Sequence, residues 1–218
     1  MDQCCSKRTY GNAVNQVLHL ARKLAMREDS GAQIVEFAVA LPLLVVFVVG
    51  IFDFSNAFTL KQRLTNIARS AARVAAADPS NDLTGGTAGA NPISVADVYY
   101  LVDNSLIADH LNDCGLASSG TLTSSGLTWT FTATGNGCPS PGLKIIVNRG
   151  YFYPVNGGAT PSTDCVSPGV GGQTQLISTC VSIQYAYAWR FGQAASLLGR
   201  SMTLPPQITA TAVALNEN

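Results

Sequence analysis

Glu36 is the one acid in an apolar run from Ala32 to Phe52 whose only other polar side chain is Gln33. A carboxylate in such a run costs about 2 to 3 kcal/mol if left unpaired. It either snorkels to the lipid boundary or is neutralised by a cation, and neither use is catalysis. Six cysteines form the second reactive set: Cys4 and Cys5 precede the run, and Cys114, Cys138, Cys165 and Cys180 follow it. Four cysteines in a Gly/Ser/Thr-rich region suit two disulfides in an oxidising compartment. Three connectivities exist, and nearness along the chain favours Cys114 with Cys138 and Cys165 with Cys180. Cys4 and Cys5 read either as acylation sites or as paired free thiols.

The other candidates dissolve on inspection. No C-x-x-C occurs and the histidines are His19 and His110, so no metal and no cofactor is expected. Gly85-Gly86, Gly157-Gly158 and Gly171-Gly172 lack the Lys and Ser/Thr of a phosphate-binding loop, and there is no G-x-S-x-G. Asp109 and His110 are sequence neighbours and project in different directions on a helix. Asp97, Asp103, Asp109 and Asp113 are spaced as on a wet face. The sequence therefore predicts a protein that is not an enzyme.

The elements that would carry these residues begin with the run itself. At about 20 residues it is long enough to span a bilayer and too long for an ordinary signal-peptide core. Past Asp53 the apolar residues thin to one face, with Phe54, Phe58, Leu64, Ile67, Ala68, Ala71, Val74 and Ala75 at helical spacing. One helix from Ala32 to Ala77 is predicted, ended by Asp78-Pro79. At about 1.5 Å per residue it reaches roughly 70 Å, about half as much again as a membrane needs.

Before that helix, Val14, Val17, Leu18, Ala21, Leu24 and Ala25 share a face, with Arg22, Lys23 and Arg27 near its end. That segment reads either as a basic leader at a membrane surface or as an upstream stretch with no role beyond targeting. The whole chain is 47% hydrophobic but only 12% charged, and its formal net charge is zero. Soluble domains carry about a quarter charged residues, so Ser, Thr, Asn, Gln and Gly must cover this surface, as in exported proteins. No basic patch marks a nucleic-acid partner.

Gly31 before the run, Glu36-Phe37, Leu41-Pro42, Phe52-Asp53-Phe54 and the Ala/Arg-rich tail from Asn66 to Ala77 resemble TadE-like minor pseudopilins of the tight-adherence (Flp) pilus system. Asp53 stands where that family often has Glu. The resemblance implies cleavage between Gly31 and Ala32 by a prepilin peptidase, and assembly through Glu36 and Phe37 with other pilins, pseudopilins and pilus assembly proteins. The Ala32 amine of a neighbouring subunit would then neutralise Glu36 and set axial register. It also implies an inner-membrane protein of one pass, with a cytoplasmic N-terminus and a periplasmic or extracellular head. The exported cysteines agree with that orientation. The cations do not decide it, since Arg22, Lys23 and Arg27 before the run are matched by Lys61, Arg63, Arg69 and Arg73 after it.

Residues 1–31 are thus a leader, 32–77 the spanning and continuing helix, and 78–218 an exported head. The head reads as a loop from Asp78 to Pro92 and a second helix opened by Ser94 and ended by Gly115. Its apolar face is Val95, Val98, Tyr99, Val102, Leu106 and Leu111. Four period-two strands follow, over Leu127–Ala133, Leu143–Tyr153, Val181–Trp189 and Ile208–Leu215. A long loop lies from Asn156 to Gln175, and a helical turn is expected at AASLLG, ending at Gly199. The fold class is α+β: a pilin-like transmembrane helix with an antiparallel four-stranded head and a second helix. The alternative function is an uncleaved, single-pass binding or adhesion module.

Overall fold

The structure, a computed structural model, describes residues 8–83, 91–155, 160–168, 174–196 and 203–217. Cys4 and Cys5 lie outside these, as do Gly199 and most of the glycine-rich part of the expected 156–175 loop. The chain divides into two units, Met1–Ile51 and Phe52–Asn218.

One helix, α1, runs Arg8–Ala77 and contains Pro42. A proline there removes one backbone donor, a loss that spanning helices tolerate. In the first unit, residues 31–45 are exposed throughout, although nearly all are apolar. The stretch Gly31–Ala77 is long and apolar enough to cross a membrane.

The second unit is an α+β head. Its sheet has the order β1-β2-β3-β4-β5, an antiparallel meander of Thr121–Ser125, Thr128–Ala133, Leu143–Pro154, Gln175–Ala186 and Gln207–Leu215. The sheet therefore has five strands, one more than the four expected. The extra strand, TLTSS, has no apolar face to betray it. It pairs with β2 through the turn at Ser125–Thr128, and the Thr121 and Thr132 hydroxyls meet at 2.6 Å.

The inner face of the sheet carries Trp129, Phe131, Ile145, Val147, Val181, Ile183, Ala210 and Ala212, all buried. These pack in one core with Leu60, Leu64, Ile67, Ala68, Ala71 and Ala75 of α1 and with Val95, Val98, Val102 and Leu106 of α2 (Ile93–Ala108). Alanines suit this stripe because they lose no side-chain entropy on burial. Polar side chains of α1 fix it further: Lys61 donates to the Thr209 carbonyl on edge strand β5, and Arg63 donates to the Asp109 carbonyl at the end of α2, at 2.8 Å. An edge lysine also discourages strand pairing with another chain.

At the far end, Arg149 is 2% exposed. It donates to the Asp78 carbonyl at 2.9 Å, just past α1, and to Thr179 at 3.2 Å. A cation is favourable beside the negative end of a helix dipole. The β3–β4 register shifts between Asn148 and Tyr151, a bulge that puts Tyr151 on the outer face. There Tyr151 packs with Ile146, Cys165 and Cys180 under residues 160–168.

Three local expectations need correction. Ser94 is buried inside α2, whose N-cap is Pro92. Helix α2 stops at Ala108, and Gly115, at φ +69°, instead caps a short helix α3, Leu116–Ser119. Asp103 is 8% exposed rather than wet, and its Oδ1 is buried without a hydrogen bond among the described residues. Burial, with the Asp113 charge adding to it, raises the Asp103 carboxyl above the ordinary Asp range.

Disulfides join Cys114 to Cys138 and Cys165 to Cys180, with sequence separations of 24 and 15. The first ties the segment after α2 to the β2–β3 connection, and the second ties residues 160–168 to β4. Non-reducing peptide mapping should recover these two pairs. Reduction should lower the thermal midpoint, each bridge contributing about 3 kcal/mol on the loop-entropy estimate. Four free thiols in the native protein would overturn the pairing.

Candidate functional site

Residues 31–37 form an open helical surface. A Cβ placed on Gly31 would meet no described atom within 4 Å outside its own helical turn, so the outward side of this position is open. Ala32 and Glu36 are exposed, and Phe37 is 66% exposed. Glu36 has no hydrogen-bond or ion-pair partner among the described residues. These four residues share one accessible stretch of α1, and among the described residues no second element packs around them. The four disulfide cysteines lie elsewhere, inside the head, with Cys114, Cys165 and Cys180 buried.

A second constellation sits in the head, built on the first turns of α1 beyond the apolar run. Asp53 is 5% exposed. Its Oδ1 accepts the Tyr187 hydroxyl at 2.9 Å, and its Oδ2 accepts the backbone N–H groups of Arg190 and Phe191, each at 2.9 Å. The Tyr187 hydroxyl is also 3.0 Å from the Asp53 carbonyl. The carboxylate thus caps helix α4, Phe191–Ser196, from a different element, a favourable place for an acid. Three donors satisfy it there without a bonded cation.

Rings complete the arrangement. Phe54 packs against Trp189 at 5.3 Å and Phe191 at 5.9 Å between centroids, and Tyr187 meets Trp189 edge-on at 4.8 Å. Tilted and edge-on pairs of this kind are the favourable aromatic geometries.

Sequence reasoning placed Tyr187 and Trp189 on a strand and gave Asp53 no role beyond closing the apolar run. Strand β4 instead stops at Ala186. The period-two pattern runs on past it only because Tyr187 and Trp189 turn toward α1. The available signal was chemical: a short acid directly after the apolar run, and an aromatic-rich segment with no acid of its own to balance Arg190.

Burial pushes the Tyr187 hydroxyl up to about 12, with the Asp53 hydrogen bond and charge adding to it and Arg190 partly offsetting it. A raised phenol favours the protonated form in the folded state. Its contribution is therefore whole below the unfolded value of 10.0 and is lost as pH rises from there through about 12. Tyr187→Phe should flatten the fall of stability over that window. Asp53→Ala, which strands one hydroxyl and two N–H donors, should cost about 3 kcal/mol. Both can be read by urea denaturation in detergent at stepped pH. An unchanged midpoint for Asp53→Ala would remove Asp53 from this role.

No curated protein and no solved structure matches the chain. Residues 31–73, from Gly31 through the exposed apolar stretch and Asp53 to Arg73, match the family model of TadE-like proteins.

Proposed function

We propose that this chain is a non-catalytic, membrane-anchored minor pseudopilin of a tight-adherence pilus or secretion apparatus. In this reading a prepilin-type peptidase cuts it after Gly31, and the new N-terminal helix packs among other pilins and pseudopilins. The observation that carries the reading is the uncovered apolar surface of residues 31–45 with an acid, Glu36, near its start that has no partner among the described residues. Such a surface is stable in lipid or against like helices and unstable in water. Two further facts support it. The family match begins at Gly31, and the outward side of Gly31 is uncovered by any other described element.

The chemistry of assembly follows from the cut. Cleavage exposes the Ala32 amine, and Glu36 lies about one helical turn away. In a low-dielectric packing of helices, a carboxylate and an amine from adjacent subunits neutralise each other only at one axial offset. Glu36 is then a registering residue. The head stays on the far side of the membrane, where its disulfides persist.

The N-terminus tests the reading directly. Intact-mass measurement of the membrane-extracted protein, co-expressed with its peptidase, should give a chain beginning at Ala32. An intact leader would favour the uncleaved binding module. Glu36→Gln separates register from insertion: it lowers the cost of insertion, so the protein should still be cut and stay in the membrane. It should, however, no longer co-purify with pilus components, because the partner amine would be left uncompensated. Co-purification like the parent's would make Glu36 a bystander.

A further inference from the structure

The aromatic group around Asp53 has a solvent side that the fold does not use. Phe54 and Phe58, one helical turn apart, are 50% and 64% exposed, Trp189 and Phe191 pack on Phe54 with the exposed Arg190 between them in sequence, and Phe52, on another side of the helix, is 67% exposed. Such a patch on a water-facing surface needs a partner.

We propose that this face rests in the headgroup layer of the bilayer, so that the head has a lipid surface as its partner as well as a helix through it. The proposal rests on the reading that residues 32–52 span a membrane. Position along the chain carries it first. Phe52 ends a run of about 20 residues, matched to a hydrocarbon core of about 30 Å. From Phe52 the interfacial layer, about 6 Å deep, covers about four residues of helix, so it takes in Phe54 and ends just short of Phe58.

Chemistry carries it second. Trp, Tyr and Phe with a basic residue are the side chains that favour this layer, their ring bodies in the acyl boundary and their polar ends toward water. The one acid in the group, Asp53, is turned inward and fully hydrogen-bonded, so no carboxylate faces the lipid phosphates. The indole N–H of Trp189 is likewise satisfied, by the Pro205 carbonyl at 2.6 Å. Arg190 is left exposed, suited to a phosphate. Asp53 therefore holds the 187–191 segment at the depth where its rings meet lipid.

The chain has two tryptophans, and Trp129 is 4% exposed inside the sheet core. Full-length protein can be reconstituted into phosphatidylcholine vesicles with a minority of phosphatidylglycerol, brominated either near the carbonyl end or near the methyl end of the acyl chains. The parent should lose the Trp189 share of its emission with the carbonyl-end label and much less with the methyl-end label. The loss should vanish in Trp189→Phe and persist in Trp129→Phe, which read the same event from opposite sides. Protein that floats with the vesicles yet shows no quenching in the parent or in Trp129→Phe would overturn the lipid contact and leave the face to a protein partner. Protein that fails to float would overturn the spanning reading and the lipid contact with it.

Discussion

The apolar stripe of α1 beyond the spanning run is the constraint on which the head depends. Leu64, Ala68, Ala71 and Ala75 are wholly buried, and a helix with such a stripe cannot stand alone in water. Sheet and α2 together form its cover. Burying a side chain such as Leu64 contributes about 2 kcal/mol, and the alanines add area at little entropic cost. The head is thus organised around the continuation of its own anchor, and the sheet forms only where that helix supplies the other half of a core.

A stripe fixes which face of the helix is covered but not where along its axis the cover stops. Buried polar groups fix that at both ends. Asp53 gathers the 187–191 segment onto the first turns, and Arg149 closes the last turn through the Asp78 carbonyl. Between them Lys61 and Arg63 donate to carbonyls of β5 and of the end of α2. Misplacing Asp53 or Arg149 by one turn would strand buried donors or acceptors at a cost of about 1 to 3 kcal/mol. Apolar packing supplies the strength, and the polar contacts supply the register.

Much of this was legible in the sequence, and the failures have a common form. The helical stripe and four strands were visible because each buries one face, and one-sided burial writes a period of 3.6 or 2 into the chain. Strand β1 buries almost nothing, so TLTSS carried no period. Tyr187 and Trp189 kept the strand period while leaving the strand, since a distant carboxylate rather than a neighbouring strand decides their direction. Asp103 broke the expectation that spaced acids lie on a wet face, being 8% exposed on a helix whose neighbouring Val102 and Leu106 are in the core. Local pattern reports which face is buried. Partners far apart in sequence, such as Asp53 with Phe191, leave no such trace.

The identity of the residue at position 53 then acquires a physical meaning. The resemblance to TadE-like proteins would often place a Glu here, and this chain has Asp. An aspartate carboxylate stays close to its own backbone, so both oxygens reach donors at 2.9 Å only because the 187–191 segment comes up to the helix. A glutamate would extend the carboxylate by one methylene, and the same donors could be met only with that segment set further out or with an added rotamer fixed at an entropic cost. The Tyr187 hydroxyl, which touches both the side chain and the carbonyl of residue 53, could not keep both contacts after such a shift. The short acid and the bidentate tyrosine therefore form one matched set, holding the aromatic segment tight against α1 where the apolar run ends.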